Sequence, residues 1–271
     1  MNAAAAARQD RSLFAMSLAC TALVFIVVAA SAWLRLASPA CPPGGCEGFV
    51  FADAVRLAHR VAAMGVTVLA LVIAALAWKA PARPGRRAAS VVIIVLVAVL
   101  AVVGRQSAGS PAPAVVLTNL LGGLTLLGFT MAMAVIAQRN DSRLSTYFVA
   151  ALGIHVVATV TGGLVTMAAS SPEAMLFLAH RAASGVALAA WILLAISATQ
   201  SAGVRLAAGI AFALVGAQVI LAVLATPAPT VDWLHNLLTA TGLCAAITAS
   251  FSSRVPSGGD RGLARRQPAG S

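Results

Sequence analysis

The chain has 271 residues, of which 61% are apolar and only 9% charged, and it carries a formal net charge of +11. This composition excludes an ordinary soluble domain and points to an all-α polytopic membrane protein. The cationic excess sits between the apolar stretches, where it sets orientation, so it is not read as a nucleic-acid footprint, and anionic membrane lipid is the expected partner.

Eight stretches are long enough to cross a bilayer, since about 20 residues at a rise of ~1.5 Å each span the ~30 Å hydrocarbon core. The first covers 13-35, after a short polar segment 1-12 with Arg8 and Arg11. It is too long and apolar for a typical cleaved leader, although Ala29, Ala30 and Ala32 imitate a small-residue cleavage site, and a retained helix is expected. After it comes Cys41-Pro-Pro-Gly-Gly-Cys46. The Pro-Gly turn favours a small disulfide loop in an oxidising compartment, as a structural staple or a redox-active pair.

The second stretch, 55-78, opens on Ala58-His59-Arg60, and a basic linker 79-87 leads to the third, 88-104. The fourth, 113-137, contains Leu117-Thr118-Asn119-Leu120-Leu121. The fifth, 145-168, carries His155 near its middle, and the sixth, 174-198, opens on Ala179-His180-Arg181. The seventh is 204-225, and the eighth, 231-251, opens on Leu234-His235-Asn236-Leu237-Leu238. The tail, 253-271, is rich in Arg, Pro, Gly and Ser and reads as a disordered end. Cys20 and Cys244 are single residues within helices and read as packing.

With the N terminus inside, thirteen of the 18 Lys and Arg residues fall on the cytoplasmic side. Both termini are then cytoplasmic, in the cell's inner membrane. Trp33 and Trp233 fall near the outer boundary and Trp78 near the inner one, as an aromatic belt would place them. The two Ala-His-Arg triplets define a parallel repeat of two four-helix halves, 13-138 and 139-252, in which Thr118 stands where the second half has His235.

An unpartnered imidazole is costly in hydrocarbon, so histidines entering membrane helices are candidate sites. His180 and His235 fall at similar depth on what reads as neighbouring helices. Two neutral imidazoles so placed suit the axial positions of a heme; interhelical hydrogen bonds are the alternative. Without Cys-x-x-Cys-His, such a heme is non-covalent. Arg60 and Arg181 either pair with heme propionates or snorkel to the headgroups. His59 has only Thr118 and Asn119 opposite it, which limits the first half to a five-coordinate heme or a substrate porphyrin, or leaves His59 structural. His155, away from that plane, reads as a helix-helix hydrogen bond.

In joint order these features resemble the heme A synthase family: eight helices in two halves, His-Arg motifs opening helices two and six, a histidine on helix eight, and a cysteine pair in the first outer loop. The resemblance covers roughly residues 12-252. It implies that His180 and His235 ligate the iron of a heme b in the C-terminal half, that His59 belongs to the substrate side, and that Cys41 and Cys46 are the loop cysteines. It further implies oxidation of the C8 methyl of heme O to a formyl, giving heme A for cytochrome c oxidase assembly. The partners implied are heme O, heme O synthase and an electron donor. Family members usually carry a glutamate where this chain has Arg56 and a histidine where it has Thr118; Arg56 then becomes a candidate clamp on a propionate. The alternative reading is a non-catalytic or electron-transferring heme b protein that has lost the substrate-side site.

Overall fold

The computed structural model describes residues 3–37, 50–79, 84–106, 112–138, 146–167, 174–197, 201–224 and 229–252. These form eight helices: α1 (Ala3–Ala37), α2 (Val50–Lys79), α3 (Pro84–Gln106), α4 (Pro113–Ala137), α5 (Thr146–Met167), α6 (Ala174–Ala195), α7 (Ala202–Leu224) and α8 (Pro229–Ser252). There is no strand among the described residues. All eight helices are long and apolar enough to cross a membrane, which makes this a multi-pass membrane protein. The helical state follows from the solvent: hydrocarbon offers backbone N–H and C=O groups nothing, so each segment satisfies its own. Proline marks three starts, at Pro84, Pro113 and Pro229. In the first turn its missing N–H costs nothing, and its fixed φ suits a helix.

The helices form two rings. In the first, α1 packs on α2 and α4, and α3 closes the ring between them; in the second, α5 packs on α6 and α8, and α7 closes it. The diagonal pairs α2/α4 and α6/α8 do not touch. The rings meet where α4 and α8 pack together, flanked by α1 against α8 and α4 against α5. Accordingly α4 is the most enclosed helix, with 61% of its spanning window buried against 11% for α6.

The surface left outside is apolar, as lipid contact requires. On α2, Leu57, Val61, Met64, Val68 and Leu71 repeat at helical spacing and are all more than half exposed, while Ala62, Val66, Ala70 and Ile73 are buried. The two cores differ in residue size. The first is built from Leu, Ile, Val and Met side chains such as Leu13, Ile73, Ile93, Leu127 and Met133. The second is lined by alanines, Ala207, Ala208, Ala211, Ala246 and Ala249 among them, around Phe148 and Trp191. Small residues let membrane helices approach closely, and the attraction between them is chiefly van der Waals contact.

α1 starts ten residues before its apolar stretch. The polar turns are held by tertiary partners: Gln9 Nε2 donates to the Leu76 carbonyl at 3.0 Å, and Asp10 pairs with Arg86. Arg86 is 1% exposed and also donates to the Ile136 and Ala137 carbonyls at 3.2 and 2.8 Å. It thereby closes the C-terminal turn of α4, whose last carbonyls have no helical partner. One guanidinium ties α1, α3 and α4 at one end of the first ring. The rings are tied to each other by Trp233, whose indole N–H donates to the Ala29 carbonyl at 3.0 Å. The sequence had placed that tryptophan only in an interfacial belt.

Removing one partner of a buried charge network strands the others, at a cost of about 3 kcal/mol. Arg86→Leu is therefore expected to lower the thermal unfolding midpoint in detergent clearly. Arg87→Leu, which removes a cation–π contact to the Trp78 ring at 5.5 Å and an exposed 3.5 Å hydrogen bond to the Trp78 carbonyl, is expected to change it by no more than about 1 kcal/mol equivalent. Equal shifts in a thermal-melt series would remove the latch role from Arg86.

Candidate functional site

A cavity of about 840 Å³ opens inside the first ring, walled by Val24, Val27, Val28, Val66, Val97 and Leu100 and carrying polar groups from Ser31, Arg35, Arg56, His59 and Asn119. His59 lies on the inward face of α2, half-buried, and its Nε2 is 3.2 Å from the Ser31 hydroxyl of α1. Arg56, one turn earlier on the same face, lines the cavity and forms an exposed ion pair with Asp53 at 2.9 Å. Arg35 joins it from α1 and is half-buried. An apolar hollow with two guanidiniums and an imidazole at one end suits a large apolar ligand bearing carboxylates, because most of its surface is desolvated while its anionic edge meets fixed donors.

Several expectations change here. Arg60 is exposed and does not line the cavity. At one residue past His59 it is rotated about 100° around the helix. Thr118 is exposed too, and its hydroxyl donates to the Ala114 carbonyl at 2.7 Å; the polar side chain that α4 contributes to the cavity is that of Asn119. Ser31 and Arg35 were missed in the sequence. Their signal is the helical spacing of Val24, Val27, Val28, Ser31 and Arg35 along one stripe of α1.

In the second ring, the His180 imidazole packs against α5. Its Nδ1 lies 3.0 Å from the Ala158 carbonyl, and because a carbonyl only accepts, that nitrogen carries the proton. The neutral ring then keeps its lone pair on Nε2, the arrangement in which a backbone acceptor fixes the tautomer of a metal-binding histidine. His235, on α8, is half-buried and close enough to His180 to interact with it electrostatically. The two helices are not the neighbours that the sequence had suggested: α6 and α8 stand on the diagonal of the second ring. Arg181 stacks on Phe177 of its own helix, 4.3 Å from the ring centroid, and is exposed.

His155 is buried on α5 and makes an edge contact with Trp191 at 6.3 Å between ring centroids. Its Nδ1 has no hydrogen-bond partner among the described residues, so the expected interhelical hydrogen bond is not made there. Cys20 and Cys244 are unpaired thiols. Cys41 and Cys46 lie outside the described residues, and with them the expected disulfide loop. No group of three or more His, Cys, Asp or Glu side chains converges among the described residues.

Glycine at position 162 makes room for His180. A Cβ there would stand 2.8 Å from the His180 Cε1, closer than such contacts allow. Gly162→Ala is therefore expected to push the imidazole off α5 and to change any property that depends on His180, whereas Gly185→Ala, with open space at the same point, is expected to leave it alone. Absorbance of the purified protein for bound pigment, or the histidine's NMR signal, reads the difference, and a silent Gly162→Ala would show that the ring position is not set by this contact. No known protein family matches the chain by its sequence profile, and no curated protein matches it at a significant level.

Proposed function

We propose that this chain is a heme A synthase-like membrane protein, in which the first ring receives heme O and the second holds a heme b. The observation that carries this reading is the cavity of the first ring, with its apolar walls and the group His59, Arg35 and Arg56 at one end. Heme O is large, apolar and doubly anionic, and such a space matches its chemistry. Arg35 and Arg56 would meet the propionates, taking the role first given to Arg60, and His59 would address the substrate iron.

His180 and His235 would hold the heme b. The fit rests on the Nδ1–H to Ala158 bond, which leaves Nε2 as the ligating atom, and on the placement of α6 and α8 at opposite corners of one ring. A heme held there would supply one-electron transfer. The protein's own residues fix the tautomer, orient the rings and keep the site among apolar helices. Oxidation of the C8 methyl to a formyl further requires molecular oxygen and an electron donor, and the product heme A would pass to cytochrome c oxidase assembly, with heme O synthase upstream. The basic-residue asymmetry supports an inner-membrane location, with the Arg86 end of the first ring in the cytoplasm and the histidine end outside. Membrane lipid surrounds the rings.

One observation favours a second reading, a heme b protein without the oxidation: the Ser31 hydroxyl already engages His59 Nε2, the nitrogen that would address a substrate iron. The two readings separate in a host that lacks heme A and is given a heme O source. Extracted pigments from the wild-type protein are expected to include heme A; heme b alone on well-folded protein would remove the synthase reading. Ala63→Trp, which places an indole in the cavity, is expected to cut heme A formation on the order of 100-fold while the heme b spectrum persists.

A further inference from the structure

The cavity of the first ring is not walled equally on all sides. Three of the seams between neighbouring helices are tight at its level, and glycines mark them. A Cβ on Gly65 of α2 would stand 2.6 Å from Leu23 Cδ1 of α1, one on Gly122 of α4 would stand 2.8 Å from Leu100 Cδ2 of α3, and one on Gly123 of α4 would stand 3.2 Å from Val28 Cγ2 of α1. These contacts close α1 on α2, α3 on α4 and α1 on α4. The seam between α2 and α3 differs. Gly104 lines the cavity from α3, and among the described residues a Cβ there would meet nothing within 4 Å.

Side-chain exposure follows the same line. The Gly65 side of α2 is covered by Leu23, and Thr67, two residues on, lies about 200° round the helix from it, on the α3 side. Arg56 stands above Thr67 on that side, about three turns nearer the start of α2. Both line the cavity and both are exposed. Across the seam, Leu100 turns toward α4, while Ala101 lines the cavity and is exposed. An opening confined to the outer end of the ring would expose Arg56 but not the deeper Thr67. The residues flanking the seam on the outside, Val68 of α2 and Val95 and Val102 of α3, are exposed and apolar, so it faces hydrocarbon. Toward the other end it shuts: Ala70 and Ile73 of α2 share a buried core with Ala89 and Ile93 of α3, and Arg87 stacks on Trp78.

We infer that the cavity is loaded sideways from the bilayer, through the seam between α2 and α3. This rests on the proposed reading of the cavity as the seat of a carboxylate-bearing apolar ligand, and not on what is done to that ligand. An amphiphile dissolved in a membrane keeps its carboxylates at headgroup level and its apolar body below. The seam has the same order, with the exposed Arg56 guanidinium at its top and Thr67 and Ala101 below. A ligand moving in keeps the orientation it had in the bilayer, and its apolar body never crosses water. The class selected is a membrane-dissolved anionic amphiphile, and water-soluble dicarboxylates are left out.

The test uses the full chain in lipid nanodiscs and two variants at one depth: Ala101→Trp, which fills the seam, and Val102→Trp, on the lipid side of α3. A trifluoromethyl phenyl diazirine dissolved in the bilayer is photolysed and its adducts are mapped by mass spectrometry. Wild type and Val102→Trp are expected to carry adducts on the cavity residues Ala63 and Val97 as well as on the lipid-facing Val68. Ala101→Trp is expected to lose the cavity adducts on the order of tenfold and to keep those on Val68. Gly104→Leu, with open space at its Cβ, repeats the block without a large ring. Cavity residues that stay unlabelled in wild type, or that label equally in both blocked variants, would overturn the entrance. Heme O supplied in the bilayer gives the second readout: Ala101→Trp is expected to slow both its uptake and its release relative to Val102→Trp, because a narrowed passage acts in both directions. Unchanged rates would overturn lateral loading. Labelled cavity residues with no uptake of heme O would instead remove the proposed function and leave the entrance standing.

Discussion

Hydrocarbon does not hydrogen-bond, and the rest of this structure answers to that constraint. The backbone satisfies it by being helical throughout the spans. Most hydroxyls satisfy it locally: Thr21, Thr67, Thr125, Thr241 and Thr248 each donate to the carbonyl four residues earlier, at 2.7–3.0 Å. Such back-bonded side chains ask nothing of neighbouring helices. The informative polar groups are those that reach another helix or reach nothing. Among the described residues these include the Arg86 network, Gln9 on Leu76, the Ser31–His59 contact, His180 on Ala158, Trp233 on Ala29, Ser250 on Phe148, and the Gln218–Thr239 pair. Each joins two helices or occupies the inside of a ring.

The same ring topology produces two different interiors because the residues lining them differ. In the first ring, bulky aliphatic side chains pack below and leave the histidine end open, so a cavity forms around His59. In the second, alanines line the contacts of α8 with α5 and α7, and the fully buried Trp191 belongs to the same cluster. Ring closure also separates the helices of the histidine pair: α6 and α8 occupy opposite corners and do not pack on each other, and the His180 imidazole is held on α5 at the Ala158 carbonyl.

The number and position of the helices were legible because a twenty-residue apolar run has few other folds available to it. The early start of α1 was not, since the helix through Gln9 and Asp10 depends on Leu76 and Arg86, some 70 residues away. In the site, the helical period carried more information than adjacency in the sequence. Arg60 and Thr118 drew notice beside or opposite a histidine, yet Arg56, three residues from His59, shares its face, and Asn119 takes the inward position on α4. Arg35 was hidden for another reason: on α1 nothing local says which stripe faces the ring, because that is fixed by how α2 and α4 pack against it.

The arginine at position 56, where the resembling family usually carries a glutamate, reverses a charge at the cavity, and the surroundings decide what that reversal does. Its partner Asp53 is 89% exposed and Arg56 itself 53%, so the pair sits in water-like surroundings and contributes at most about 1 kcal/mol. A buried pair would hold the guanidinium in place, since separating it would strand a desolvated carboxylate. An exposed one releases it cheaply. A carboxylate arriving at the cavity from its apolar side would meet two donors already lined up by α1 and α2 and could displace Asp53 with little loss. Arg56 therefore turns the cavity's electrostatics toward anionic ligands without burying an uncompensated charge there.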